Sequence, residues 1–343
     1  MDTAERKELE AERARLVARL GEIDAKLREL ARAERAEAAP PEGSGQVCQV
    51  LLGSTGRLGR WDSEAPLPTV GARQEFDVIV SVVKTRGDFG VLTSRGRLVK
   101  ASAQALPAIM LTQDAPDLRA GKPADALLGL APGERPLALT TLGASTFGWA
   151  LGTRQGTVKR TNPEMPRGQE SWEVIRLEDG DEVVGAAELR HEQQHLVFIT
   201  TEGQLLHYPA AAVRPQGRQG GGMAGVKLGP GAQAIFFGAA DLADAVVVTN
   251  AGKETGRETR HPGSIKVTPF SAFPEKGRAT GGVRCHRFLK GEDTLYLGWV
   301  GLPPAIAATA DGFPSNLPAP DPRRDGSGTP ASIRIAAVGS RAW

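Results

Sequence analysis

The sequence predicts a mostly β protein, a closed radial array of about six small antiparallel sheets preceded by one N-terminal coiled-coil helix. Three observations carry this reading. Two stretches, Gly203-QLLHYPAAAVRPQGRQGGGMAGVKL and Gly263-SIKVTPFSAFPEKGRATGGVRCHRF, align without a gap at an offset of 60 residues. A turn written Thr-x-x-Gly recurs along the chain behind short apolar runs. The hydrophobic period changes near Gln46 from that of a helix to that of strands. Self-similarity at this spacing belongs to stacked or radially arrayed units, none of which can bury its apolar faces alone.

Residues 4–39 read as one helix. Leu9, Leu16, Ile23 and Leu30 recur every seven residues, with Leu20 and Leu27 between them. That is a coiled-coil seam flanked by Glu, Arg and Lys. Arg13 falls on one seam position and Gly21 sits inside, so the coil is short and imperfect. Such a seam calls for a partner helix. Pro40-Pro41-Glu-Gly-Ser-Gly then stops the helix. The expected domains are a helix over 1–39, a linker over 40–45 and the sheet array over 46–343.

From Gln46 each unit has an apolar run, a glycine turn and a second strand. The turns are Gly53-STG, Thr93-SRG, Thr153-RQG, Thr200-TEG, Thr249-NAG and Thr309-ADG. Glycine suits them because hairpin turns need positive φ. The polar stretch 250–262 interrupts the fifth hairpin, whose strand resumes at Ser264-IKV. Loops at Arg119-AGKP, Arg167-GQES, Gly217-RQGGG, Gly277-RATGG and Arg323-RDGSG lead into ADALLGL, WEVIRL, AGVKL, VRCHRF and SIRI, each expected to be a third strand. A last strand closes each unit: PLALTTL, EVVGAAEL, QAIFFGAA, TLYLGWV. Four strands per unit suit a closed ring.

Composition sets the bounds. Forty-two glycines and 24 prolines imply many turns. No apolar run approaches the ~20 residues of a membrane span. Cys48 and Cys285 cannot form a disulfide framework, which fits a reducing cytosol. Net charge is +2, yet residues 204–290 hold 12 Lys and Arg against 5 Asp and Glu, a local +7. That excess points to an electropositive face and an anionic partner, although solvated surface loops would carry the same residues.

The Thr-x-x-Gly hairpins, Leu177-EDGDEVVG, Ala211-AVRPQGRQGGGMAGVKL and Phe273-PEKGRATGGV resemble the C-terminal domain of the A subunit of bacterial type IIA topoisomerases, DNA gyrase and topoisomerase IV. The resemblance runs from Gln46 to about Ser340. It implies a six-bladed β-pinwheel, propeller-like, with strands exchanged between neighbouring blades. It also implies binding of double-stranded DNA around the rim, with bending or wrapping, inside an assembly that performs ATP-dependent strand passage. The partners implied are the topoisomerase catalytic core, the B subunit and a coiled-coil partner helix. ATP and Mg would serve that assembly, and this chain would hold no cofactor. A cytoplasmic, nucleoid-associated location follows.

Glycine loops bring backbone N–H groups to phosphates, and neighbouring cations neutralise them. The candidates are therefore Arg214, Arg218 and Lys227 in the fourth blade; Lys276, Arg278, Arg284 and Arg287 in the fifth; and Arg323 and Arg324 in the sixth. Lys159, Arg160, Arg97 and Lys100 follow hairpin glycines and are weaker candidates. No recognition helix or aromatic wedge is evident, so contacts would go to the DNA backbone. Gyrases carry a glutamine-arginine-glycine-lysine box in the first blade; here that place reads Asp62-SEAPLPTVGARQEF, with only Arg73. This leans toward a topoisomerase IV-like subunit. The tyrosines, Tyr208 and Tyr296, lack the context of the family's cleaving tyrosine, and no Walker sequence occurs. The chain is expected to have no catalytic residue and to be inactive alone.

Two rival readings are a protein-binding propeller scaffold and a zinc peptidase. His191-Glu-Gln-Gln-His195 spells a zinc-peptidase motif but falls between two strands rather than on a helix. Cys285-His286 has no second ligand pair, the five tryptophans are scattered, and the glycines of 217–225 lack the strand–loop–helix setting of a nucleotide loop.

Overall fold

The computed structural model describes residues 45–67, 77–112, 115–143, 146–253 and 262–340, together with Glu12, Arg15, Leu16 and Arg19, which are helical. The rest of the expected coiled-coil helix, Arg73 and most of the fifth-hairpin insert lie outside the described residues. The chain divides into two compact units, Met1–Glu42 with Gly143–Ser145, and Gly43–Leu142 with Thr146–Trp343. All the sheets belong to the second unit.

Five hairpins share one device. The glycine N–H closes the turn onto the carbonyl three residues back: Gly56 to Gly53, Gly96 to Thr93, Gly156 to Thr153, Gly203 to Thr200 and Gly312 to Thr309, all at 2.9–3.0 Å. Each of these glycines has positive φ. The threonine has its own task. Its Oγ1 accepts the N–H of the residue after the glycine, as in Thr157 N–H to Thr153 Oγ1 at 3.1 Å and Phe313 N–H to Thr309 Oγ1 at 3.2 Å. In the fifth hairpin the positive-φ glycine is Gly263 (φ 72°), beyond the insert, rather than the expected Gly252.

Each hairpin forms the middle of a blade. Blade 1 has Cys48–Gly53 and Arg57–Trp61, blade 2 Asp88–Thr93 and Arg97–Ser102, blade 3 Trp149–Thr153 and Thr157–Thr161. Blade 4 has His195–Thr200 and Gln204–Pro209, blade 5 Val246–Gly252 and Ser264–Pro269, blade 6 Ala305–Ala308 and Pro314–Ser315. An inner strand pairs with the first hairpin strand of each: Ile79–Thr85, Pro136–Thr140, Val183–Glu188, Ala234–Ala240, Thr294–Gly301 and Ala337–Ser340, in blade order. These six pack side by side and the last returns to the first, which closes the ring. Neighbours approach so closely that glycine is required. A Cβ on Gly185 would lie 2.0 Å from the Phe237 carbonyl, and one on Gly339 would lie 2.2 Å from that of Ile79.

The outer strand of each blade comes from its successor. After a hairpin the chain crosses back and lays two or three residues on the preceding blade. Lys122–Pro123 completes blade 1 and Ser171–Glu173 blade 2. Pro215–Gln216 and Met223–Ala224 complete blade 3, Val283–Arg284 blade 4, and Thr329–Pro330 blade 5. Blade 6 has three strands among the described residues. The expected third strands are thus much shorter than their apolar stretches. ADALLGL is instead the helix Ala124–Leu128 ended by Gly129 in the left-handed region, and SIRI is not a strand.

The core lies between successive sheets, so a hairpin strand is buried on both faces and its sequence need not alternate. In His195–Thr200, Leu196 and Phe198 pack toward blade 3 with Val158 and Tyr208, while Val197 and Ile199 pack toward blade 5 with Val247 and Leu295. Burying each such side chain contributes about 1.5–3 kcal/mol. No helix among the described residues is long and apolar enough to cross a membrane.

Candidate nucleic-acid interface

The crossover segments occupy the perimeter because each ends as the outermost strand of a sheet. Four contain a tight turn of one plan. Gly121 N–H closes onto Leu118 O, Gly220 N–H onto Gly217 O, and Gly326 N–H onto Arg323 O, at 2.9–3.1 Å. In the fourth, Thr280 Oγ1 donates to Gly277 O at 2.8 Å. The second residue of each is an arginine: Arg119, Arg218, Arg324 and Arg278. The crossovers then join end to end through their backbones. Arg176 N–H meets Gly220 O at 3.5 Å, Ala279 N–H meets Gly225 O at 2.8 Å, Lys227 N–H meets Thr280 O at 3.0 Å, and Arg287 N–H meets Gly326 O at 3.0 Å. One continuous belt therefore runs along the outer edges of blades 2, 3, 4 and 5.

Charge along the crossovers is uneven. Residues 214–228 carry Arg214, Arg218 and Lys227 and no acid, a net +3. Residues 274–288 carry Lys276, Arg278, Arg284 and Arg287 against Glu275, again +3. Residues 321–334 carry Arg323, Arg324 and Arg334 against Asp321 and Asp325, +1. Residues 117–125 balance, Arg119 and Lys122 against Asp117 and Asp125. Residues 164–178 are at −2, with Arg167 and Arg176 against Glu164, Glu170, Glu173 and Glu178.

Arg214, Lys227, Lys276 and Arg284 are exposed, Arg218 and Arg324 are half-buried, and none of the six pairs with a carboxylate among the described residues. Arg278 donates Nη1 to the Ala224 carbonyl and so braces the two most basic crossovers against each other. Arg287 stands 3.9 Å from Asp325. Arg323 is exposed but grips Asp321 through Nε and Nη2, both at 3.0 Å. That grip holds the Asp321 carboxyl down at about 2. The turn position thus separates Arg324, the equivalent of Arg218 and Arg278, from Arg323, which the sequence ranks beside it.

The hairpin candidates fall elsewhere, and this is a correction. Lys159 and Arg160 are 0% and 3% exposed. The Lys159 ammonium donates inward to the carbonyls of Arg218 at 3.0 Å and Gly220 at 2.8 Å. Arg160 pairs with Glu192 at 2.8 Å. Lys100 pairs with Asp88 at 2.8 Å. Arg97 grips Glu134, which also accepts from Thr93 Oγ1 at 2.6 Å and Ala131 N–H at 3.0 Å. Burial opposes ionisation of Glu134, but these donors win and hold it at about 2. The hairpin cations are thus engaged within the fold, Lys159 and Arg160 by burial and Arg97 and Lys100 by ion pairs, whereas the crossover cations stand at the perimeter. Lys266 escaped the sequence reading altogether. The shared spacing of Gly156-TVK and Gly263-SIK was the available signal.

The other polar clusters are internal. His195 Nδ1 meets His207 Nδ1 at 2.9 Å, while His191 sits in a turn with Asp241 at 3.1 Å and Glu192 is taken by Arg160. The described residues bring no three metal-ligating side chains together. His286 lies between Thr249 Oγ1 at 2.9 Å and Ser264 Oγ at 3.0 Å, and burial pushes its imidazole down to about 4. Burial also pushes the Cys285 thiol up to about 12, so it is inert. Tyr208 is buried, and the Tyr296 ring lies 3.6 Å beneath the Arg334 guanidinium. Trp149 and Trp172 are buried blade residues.

Residues 194–237 and 263–295 match the family described as DNA gyrase C-terminal domain, beta-propeller. The DNA gyrase A protein of Helicobacter pylori is 31% identical over 167 residues, 46% of this chain and 19% of that protein. The topoisomerase protein TopoM of Mycolicibacterium smegmatis is 38% identical over 104 residues, 30% and 14% respectively. The chain thus spans about a fifth or less of the length of these relatives. In fold it is similar to the C-terminal domain of DNA topoisomerase IV, with a TM-score of 0.67 at 17% identity over 86% of this chain and 93% of that one. It is also similar to the DNA gyrase A C-terminal domain, with a TM-score of 0.59 at 16% identity over 85% and 99%. Repeat sequence and ring architecture agree: part of the chain matches the DNA gyrase C-terminal domain family, and its fold is similar to the C-terminal domains of topoisomerase IV and DNA gyrase A.

Proposed function

We propose that the ring binds duplex DNA along the belt from the outer edge of blade 3 to that of blade 5 and bends it, as the DNA-handling domain of the A subunit in a type IIA topoisomerase. One observation carries this reading. Successive perimeter turns place Arg218, Arg278 and Arg324 at the same position, and backbone hydrogen bonds join their crossovers into one basic track. Contacts to phosphate supply affinity without base readout, and selectivity then follows how easily a sequence deforms. Bending a site of 20–30 bp costs about 1–6 kcal/mol, so several contacts spread over the track are needed to offset it.

The larger assembly belongs to the same proposal. A catalytic core and a B subunit would supply cleavage and the ATP- and Mg-dependent step, in the cytoplasm and near the nucleoid, with the N-terminal seam docking on a partner helix. The first-blade segment with Arg73 in place of a basic box favours a topoisomerase IV-like bender over a gyrase-like wrapper. Ligating nicked DNA circles with the protein bound tests the distinction. Bending predicts binding with little change in linking number, and a stoichiometric shift of one sign indicates chiral wrapping. A protein-binding scaffold would leave the circles unbound.

A further inference from the structure

Lys159 and Lys266 occupy the same place in their blades, three residues after the positive-φ glycines Gly156 and Gly263. Both are buried, and neither has a carboxylate within ion-pair distance among the described residues. Their ammonium groups are spent on carbonyls of a crossover. Lys159 Nζ donates to Arg218 O at 3.0 Å and Gly220 O at 2.8 Å. Lys266 Nζ donates to Arg324 O at 2.5 Å and Cys285 O at 3.0 Å. Each lysine therefore holds the backbone of the arginine at the second position of a perimeter turn.

The ring itself does not require a lysine there. The same position is Gly59 in blade 1, Val99 in blade 2, Leu206 in blade 4 and Ser315 in blade 6. A buried ammonium without an anion is costly, and burial lowers the affinity of Lys159 for its proton to a pKa of about 8, with Glu173 and Glu164 opposing that fall. Lys266 is lowered by burial too, against Cys285, Asp321 and Asp325 and with Arg323 adding to the fall. A group that opposes burial yet recurs under two equivalent turns answers to what the turns carry.

We infer that Lys159 and Lys266 are positioning residues for the DNA-binding track: they fasten the backbone of Arg218 and Arg324 so that each guanidinium is presented outward, and they do not touch DNA. The inference rests on the DNA-binding reading above. Blade 4 supplies the contrast. With Leu206 in the lysine position, the Arg278 crossover is held by Lys276 N–H on His207 O at 3.2 Å and by Arg278 itself on Ala224 O.

A double-mutant cycle on the full chain tests it. Binding of a fluorescent duplex is titrated at one salt concentration for wild type, K159M, R218A and K159M/R218A, with thermal melts alongside. Methionine keeps the volume and removes the charge. K159M is expected to weaken binding severalfold, and the double variant is expected to bind no more weakly than R218A alone, because Lys159 acts through that arginine. The K159M and R284A effects should instead multiply, a pattern that general loss of stability would not give. Wild-type binding with K159M unchanged, or K159M and R218A effects that multiply, overturns the inference. Should K159M not melt cooperatively, K266M with R324A makes the same comparison at the second turn, and independence there overturns it equally. A wild type that binds no duplex overturns the DNA-binding reading instead.

Discussion

The crossover over blade 1 and the crossover over blade 3 share one backbone plan but differ in what surrounds the turn arginine. In the first, Asp117 stands two residues before Arg119 and takes both Nε at 2.8 Å and Nη2 at 2.5 Å. In the second, Gln216 holds that place, its amide is engaged with Gly222, and Arg218 meets no carboxylate among the described residues. At Arg278 the same place is Lys276, which reinforces the charge. One residue thus decides whether a perimeter arginine is neutralised locally or offered to a partner. The wider pattern agrees. Arg97 and Lys100 of blade 2 are tied to carboxylates, whereas among the described residues of the 214–228 and 274–288 crossovers Arg287 alone comes near one, at 3.9 Å from Asp325.

The sharpest way to break this comparison is to exchange the deciding residue. K276D removes one cation and places a carboxylate where Arg278 can be captured. The dependence of log affinity on log salt should lose about two phosphate contacts, or roughly 1.8 units of slope. R218A and R278A should each lose about one contact and weaken all duplex sequences alike. A loss confined to particular sequences would point to base reading instead. The reverse exchange, D117N, loosens the grip on Arg119 in the crossover over blade 1 and should add at most one contact, visible as a slightly steeper slope.

The smallest effect on DNA belongs to E134Q, because Glu134 serves the fold. Its carboxyl is held at about 2 in the native state, below the ordinary carboxylate value, so it contributes stability above about pH 4.5. That contribution fades as the pH falls toward 2. E134Q should cost about 1–3 kcal/mol at pH 7, flatten the acid limb of a stability–pH profile between pH 4.5 and 2, and leave DNA affinity unchanged. Urea titrations across that range measure it.

Much of the ring was legible because its signals are local. A threonine that accepts an N–H and a glycine at positive φ must sit close together in sequence, so Thr93, Thr153, Thr200 and Thr309 announce their hairpins. Strands buried on both faces announce themselves as apolar runs. The outer strands were not legible in detail. Their partners lie in another blade, and packing of AGVKL or VRCHRF between sheets needs apolar side chains whether or not the backbone joins a ladder. Among the site residues, the crossover cations were found from glycine and charge alone. Lys159 and Arg160 were misplaced because a charged residue on a hairpin strand carries no mark of which sheet junction encloses it. Two carbonyls from a segment some 60 residues away decide the fate of Lys159.

The most direct measurement is duplex affinity over a range of salt for wild type and for R218A/R278A. The basic track predicts a straight line of log affinity against log salt for wild type, several phosphate contacts steep, and a slope shallower by about two contacts for the double variant. A wild type that binds with a slope the double variant leaves intact, or that binds no duplex at low salt, would contradict the account.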